Sequence, residues 1–242
     1  MVKSGWKKYL LLVGCSFWAV SASAAGLPAL EGLLEPNELV EVSSQVPGII
    51  EQLTVERGDL VKKGEVVARL KSGVEEAAVN LAGARVEFAQ RKAQRNEKLY
   101  KRQLISIDKK DEIETEIQLA QLELAQAEER LKLRTIESTI DGVVVARTGA
   151  AGEYVGAESF MTIASINPLN VEVIVPVAFF GMIKKGQVAK ILPEEPVGGH
   201  YRAKVVIVDH VIDAASGTFG VRLELPNPKS ALPAGLKCQV VF

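Results

Sequence analysis

The residues that could carry chemistry in this 242-residue chain are few, and their spacing is poor for it. The only histidines are His200 and His210, and the only carboxylates close to either are Asp209 and Asp213. A metal site or a general-base pair needs ligands that recur at short fixed spacings, and neither histidine has such a partner. Both read as polar residues at strand ends. There is no paired-carboxylate constellation, no glycine-rich loop opening a helix and no serine or cysteine in a nucleophile setting. These residues therefore predict a protein that is not an enzyme, with no metal and no cofactor.

The two cysteines divide between a leader and a strand. Lys3, Lys7 and Lys8 precede an apolar run over residues 9–20, and small residues follow through Ala25, the pattern of a signal peptide over residues 1–25. Removing it takes away three lysines and no acid, so the formal charge moves from -1 to -1 minus 3, or -4. The exported chain expected from this pattern is periplasmic. Leu12-Val13-Gly14-Cys15 also fits a lipoprotein box, in which Cys15 would be lipidated and would anchor the chain to the inner membrane. Cys238 sits in an alternating pattern and reads as a small buried hydrophobe. The near-neutral charge excludes a basic surface seeking nucleic acid.

What positions these residues is an internal repeat. Gly48-Ile49-Ile50 to Gly58-Asp59-Leu60-Val61 recurs as Gly142-Val143-Val144 to Gly152-Glu153-Tyr154-Val155, an offset of 94 residues that aligns Gly48 with Gly142 and Gly58 with Gly152. Short β-branched runs and tight turns surround both copies, so each is half of one small β unit, over residues 42–72 and 137–167. Between them, residues 73–136 change period. Ser72 with Glu75 matches a capping box. Val74, Ala77, Leu81, Ala84 and Phe88 form one apolar stripe, and Ala82, Val86, Ala89 and Ala93 a second. After a turn at residues 103–108, where Ser106 or Asp108 can cap, Ile113, Ile117, Ala120, Leu124, Ala127 and Leu131 repeat at alternating four and three. The pattern predicts an antiparallel coiled-coil hairpin with arms roughly 45 Å long. An isolated hairpin buries little, so copies are expected to pack side by side.

Residues 26–41 hold Pro28 and Pro36 and predict at best a short strand near residues 30–34 that joins a later sheet. Residues 168–242 alternate as five or six short strands, a small β-barrel. Residues 179–185 predict a helical turn or two before Gly186.

A split β unit with a helical hairpin between its halves and a barrel behind it resembles the periplasmic adaptors, or membrane fusion proteins, of tripartite efflux systems. The resemblance rests on Val46-Pro47-Gly48, Arg57-Gly58-Asp59-Leu60-Val61-Lys62-Lys63-Gly64, Asp141-Gly142-Val143-Val144, Thr218-Phe219-Gly220-Val221-Arg222, Pro226-Asn227-Pro228 and Leu232-Pro233-Ala234-Gly235-Leu236. It implies a biotinyl/lipoyl-like sandwich made of the two halves. It also implies partners: an inner-membrane pump, of the RND class with an ABC exporter as runner-up, a TolC-like outer-membrane channel, and further copies in a ring. At the expected hairpin tip, Arg95, Leu99 and Ser106 reproduce the family's arginine, leucine and serine spacing associated with channel docking. Taken by spacing alone, the same three residues read as solvated surface, the last seam position and a helix cap. The chain departs from the family in carrying Thr139-Ile140 where proline usually precedes Asp-Gly. It also stops at Phe242, where many RND adaptors continue into a membrane-proximal domain, which leaves pump contact to the barrel, the N-terminal segment or another subunit. Lipoyl-like folds can also carry lipoate or biotin on a turn lysine, as subunits of enzyme complexes. Lys71 lies near that turn, but no acid-lysine-aliphatic or Met-Lys-Met element surrounds it.

Overall fold

The computed structural model describes residues 27–242; the leader and Cys15 lie outside the described residues. The elements in chain order are β1 (Leu30–Val42), β2 (Gly48–Leu53), β3 (Leu60–Val61), β4 (Val66–Leu70), α1 (Gly73–Lys101), α2 (Ile107–Lys132), β5 (Thr135–Glu137), β6 (Gly142–Arg147), β7 (Tyr154–Val155), β8 (Met161–Pro176), β9 (Val188–Pro193), β10 (Tyr201–Val208), β11 (Thr218–Leu225) and β12 (Lys237–Val241). One sheet runs β1-β12-β9-β10-β11-β8-β6-β3, with β8 also pairing β1, and a second runs β5-β4-β2-β7. The β1–β8 pairing closes six of these strands into an antiparallel barrel. Its interior is Leu34, Val171, Val173, Ile191, Val205, Val221, Leu223 and Val240, the inward alternate residues of each strand. The remaining strands form a sandwich around Ile50, Val61, Val67, Leu70, Val144, Val155 and Ile163.

The repeat is a pseudo-twofold in space. Gly48 pairs with Val155 and, with the two copies of the repeat exchanged, Gly142 pairs with Val61. The Gly58 N–H donates to the Val144 carbonyl at 2.8 Å, and the Gly152 N–H donates to the Ile50 carbonyl at 2.8 Å. The Asp59 carboxylate accepts from the Glu56 N–H at 2.8 Å, and the Glu153 carboxylate accepts from the Ala150 N–H at 2.9 Å. Each half thus completes the other's ladder, and neither has a core alone. Gly58 and Gly152 have φ of 97° and 92°, the left-handed conformation that disfavours any Cβ.

Three features differ from the sequence expectation. The strand expected near residues 30–34 extends over 13 residues, because Pro36 falls at a register shift between Pro36 and Glu38 where no ladder N–H is needed. The boundary expected between residues 167 and 168 falls inside the 16-residue β8, which runs from the sandwich into the barrel. The helical turn expected over residues 179–185 is a single 3-10 turn, Val177–Phe179.

Candidate functional site: the hairpin tip and its base

The two helices have 29 and 26 residues and pack antiparallel through Ala82, Val86, Ala89, Ile113 and Ala120. Ion pairs Arg85–Glu123 (2.7 Å) and Lys92–Glu116 (2.6 Å) cross the seam in one register. The second of the two stripes on α1 is therefore the seam. The first stripe stays open: Val74, Leu81 and Phe88 are exposed, as is Leu119 on α2.

At the tip, α1 ends in tight turns. The Leu104 N–H donates to the Leu99 carbonyl (2.9 Å) and the Gln103 N–H to that of Tyr100 (2.8 Å), with Gln103 itself at φ 59°. Ser106 is the N-cap of α2, its hydroxyl accepting from the Lys109 N–H at 3.3 Å. Arg95 and Leu99 lie one turn apart on the same face of α1, both exposed. Among the described residues Arg95 has no ion-pair partner, while its charged neighbours are engaged: Glu97 with Lys101 (2.8 Å), Lys109 with Glu112 (2.5 Å) and Lys110 with Glu114 (3.2 Å). Those lysines hold Glu97 and Glu112 below the usual carboxylate range, and Glu114 raises Lys110, which also lies 5.3 Å over the Tyr100 ring. Leu104 and Ile107, exposed on either side of Ser106, complete an apolar crown that the spacing argument missed. Their signal in the sequence was a pair of large aliphatics in the turn of an otherwise charged helix pair. The arrangement offers one guanidinium with free donors, a ring of aliphatic knobs and a small hydroxyl, suited to binding other helices.

The base is fixed by a residue that no local motif singles out. Arg134, just after α2, reaches the Glu75 carboxylate of α1 at 2.6 Å and the Pro47 carbonyl before β2 at 3.0 Å. Its carbonyl accepts from the Leu70 N–H at 2.8 Å. The Arg134 guanidinium holds Glu75 below its ordinary range. The capping box expected at Ser72 does not form, because Glu75 is taken by Arg134; the Ser72 hydroxyl donates instead to Glu76 at 2.6 Å. A Cβ on Gly48 would come within 2.6 Å of the Arg134 guanidinium, so Gly48 leaves room for the pin. Gly142 is constrained differently: a Cβ there would meet backbone atoms of Ala164.

The chemistry-bearing residues elsewhere do not converge. His200 and His210 are both exposed, and the Asp213 carboxylate caps its own turn by accepting from the Ala215 N–H at 2.8 Å, which holds it below the usual range. No group of three metal-ligating side chains occurs among the described residues. Lys71 is exposed at the entrance to α1, its backbone N–H donating to the Ile49 carbonyl. Cys238 is buried in the barrel wall, and burial pushes its thiol up to about 11. No helix among the described residues is long and apolar enough to cross a membrane.

Residues 38–165, more than half of the chain, match the family model described as CzcB-like, barrel-sandwich hybrid domain. Among characterised sequences, the nodulation protein NolF of Rhizobium meliloti is 25% identical over 233 residues, covering 90% of this chain and 64% of that protein. The multidrug resistance protein MdtE of Escherichia coli is 25% identical over 244 residues, covering 87% of this chain and 62% of that protein. Among solved structures, a MacA–MexA chimera containing the Pseudomonas aeruginosa MexA α-hairpin domain superposes with a TM-score of 0.74 at 23% identity, covering 88% of this chain and 79% of that one. The chain spans less than two-thirds of the length of NolF and MdtE.

Proposed function

The chain belongs to the CzcB-like barrel-sandwich hybrid family of membrane fusion proteins, structural adaptors and not enzymes, and from that premise we propose that it is the periplasmic adaptor of a tripartite exporter. In this reading it links an inner-membrane pump to a TolC-like outer-membrane channel and forms part of the conduit. The supporting observation is the hairpin. Two arms of 29 and 26 residues extend away from a clamped base and end in exposed Arg95, Leu99, Leu104 and Ile107 around the Ser106 cap. A surface of that kind far from any core is stable in water but positioned for a helical partner. The tip is the channel-docking end, and the barrel faces an RND pump.

Affinity recovery of partners from cells tests this. Tagged wild-type protein should recover an outer-membrane channel, and Arg95→Asp and Ser106→Arg variants should lose it while still recovering the pump. Recovery of the same channel by both variants would remove the docking role from the tip. An ABC exporter recovered in place of an RND pump would change the pump class and leave the tip assignment intact.

A further inference from the structure

The barrel has two ends, and their loops differ. β8 leaves the sandwich and ends at Pro176, which pairs with Thr218 at the start of β11. The Val177 N–H donates to the Gly217 carbonyl at 2.9 Å, joining the β8–β9 loop, residues 177–187, to the β10–β11 loop, residues 209–217. Both loops therefore lie at the end away from the sandwich and the hairpin. They expose Val177, Phe180, Met182, Val211 and Ile212, with Met182 58% and Val211 82% in solvent. The loops at the opposite end, residues 194–200 and 226–236, expose no large apolar side chain: Leu232 is buried, and Val197 and Leu236 pack against the barrel core. Single exposed aliphatics need no explanation, but their concentration on the two joined loops of one end marks a contact surface.

The loops are built to keep these groups in solvent. In the first, Phe179 and Ile183 pack into the barrel core, and the Phe180 ring meets Phe219 edge-on with centroids 5.3 Å apart. The interior is thereby filled, and Val177 and Met182 are left outside it. In the second, the Asp209 N–H donates to the Gly220 carbonyl and the Asp213 N–H to the Thr218 carbonyl, 2.9 Å each, and Val211 and Ile212 lie between these two bonds. Over the two loops Lys184 and Lys185 balance Asp209 and Asp213, so this end carries no net charge with His210 neutral. Attraction to a charged partner is therefore not its means of binding.

We propose that these two loops insert their apolar side chains into the headgroup layer of a phospholipid bilayer, so that the barrel stands on the membrane surface beside the pump. This deepens the adaptor reading and rests on it only for which membrane the end meets. Two separate loop tips, spaced by small residues such as Ala178, Gly181 and Ala214, offer a folded protein neither a groove nor an open strand edge. A headgroup layer needs no matching shape and takes up apolar tips as they stand. The direction of the chain agrees. Gly32 pairs with Val173 and Leu30 with Val240, so the chain enters the barrel at this same end, where Leu27 packs against the core. An acyl group on Cys15, twelve residues before Leu27, would tether this end within about 40 Å of a bilayer.

Tryptophan fluorescence on the full exported protein tests the contact. The chain's only tryptophans, Trp6 and Trp18, lie in the stretch read as leader, and the unsubstituted protein supplies their background. Met182→Trp and Val211→Trp place reporters on the two loops, and Lys229→Trp places one at the opposite end; all three sites are exposed, so the fold should tolerate them. With vesicles of phosphatidylcholine carrying brominated acyl chains, the two loop reporters should shift to the blue and lose most of their emission, while the Lys229→Trp reporter keeps its own. Added phosphatidylglycerol should change this little, because the end has no net charge. Val211→Asp with Ile212→Asp should reduce quenching of the Met182→Trp reporter several-fold. Loop reporters that stay unquenched, quenching equal at Lys229→Trp, or quenching that needs the pump in the vesicle would overturn the proposal, the last by assigning this end to a protein partner. Partner recovery scores the adaptor reading separately: channel recovery without quenching keeps that reading and removes the membrane contact, and quenching without channel or pump does the reverse.

Discussion

Replacing Arg134 by alanine should loosen the hairpin at its root, and the size of the effect follows from what the guanidinium touches. Its pairing with Glu75 is sheltered, with side chains 21% and 17% exposed, and it also satisfies the Pro47 carbonyl. A charge-assisted bond at a sheltered site contributes about 1.5–3 kcal/mol, and truncation leaves the Glu75 carboxylate without its cation, so about 2 kcal/mol is expected. For a chain of this size that corresponds to about 4–8 °C in Tm. Gly48→Ala should act through the same pin, because its new Cβ would meet the Arg134 guanidinium at 2.6 Å and the Leu70 side chain at 3.1 Å. Urea denaturation of both single variants and the double variant makes the cycle. Gly48→Ala should cost clearly less in the Arg134→Ala background than in wild type, a coupling of about 1 kcal/mol or more. The pH dependence carries a sign. Glu75 lies below its ordinary value of 4.5 in the fold, so its contribution is present above pH 4.5 and is lost as pH falls through the lower folded value. Arg134→Ala should flatten that acid limb. Equal costs of Gly48→Ala in both backgrounds, with an unchanged acid limb, would refute the pin.

Other expectations can be checked with the same methods. Gly142→Ala must displace backbone at Ala164 and should cost about 3 kcal/mol or more by chemical denaturation, well beyond Gly48→Ala. Gly58→Ala and Gly152→Ala should each cost about 1 kcal/mol and agree with each other, since both meet open space and only the left-handed backbone resists. Asn227→Ala should cost about 3 kcal/mol: the buried amide donates to the Ile166 and Leu232 carbonyls (2.9 Å each) and accepts from the Leu232 N–H (3.1 Å), and all three partners would be orphaned. Cys238 should resist thiol reagents at pH 8 until the barrel unfolds. Because its folded value is raised from 9.0 to about 11, stability should decline as pH rises from about 9 towards 11, a slope that Cys238→Ala removes.

Local pattern carried the elements whose partners are close in sequence or repeat in register. The 94-residue offset predicted that Gly48 and Gly142 occupy equivalent places, and backbone hydrogen bonds such as Gly58 to Val144 express that equivalence without any side-chain coincidence. The α2 seam was legible because a strict four-three spacing has one physical meaning. On α1 two stripes competed, and only the position of α2 decides that Ala82, Val86 and Ala89 are covered while Leu81 and Phe88 are not. Glu75 looked like half of a capping box because its true partner, Arg134, is 59 residues away. Local pattern predicts a short β1 because Pro36 ends strands in general; here it coincides with a shift in register that needs no donor. At the tip, Ser106 was legible as a cap from spacing, whereas Leu104 and Ile107 acquire meaning only once the turn is known to leave them in solvent.

The length of β1 and β8 bears on how an adaptor of this kind would transmit force. Both strands begin in one module and end in the other: Val42 pairs with Met161 over the sandwich core, and Gly32 pairs with Val173 over the barrel core. A linker of two extended chains without mutual hydrogen bonds would let the barrel swing freely. A paired two-strand ribbon resists bending in its plane and yields where its ladder is interrupted, here between Pro36 and Glu38 opposite residues 166–168. Asn227 hydrogen-bonds into that same place through Asn167 and Ile166, tying the interruption to the β11–β12 connection. Motion at the barrel would therefore reach the clamp at Arg134 and the tip beyond it through one hinge line. Asn227→Ala is the substitution that loosens it, and spin labels on the barrel and on α2 should then report a broader distance distribution while labels across the α1–α2 seam stay unchanged. A distribution as narrow as wild type would mean that the ribbon alone sets the angle and that Asn227 serves only the barrel's own stability.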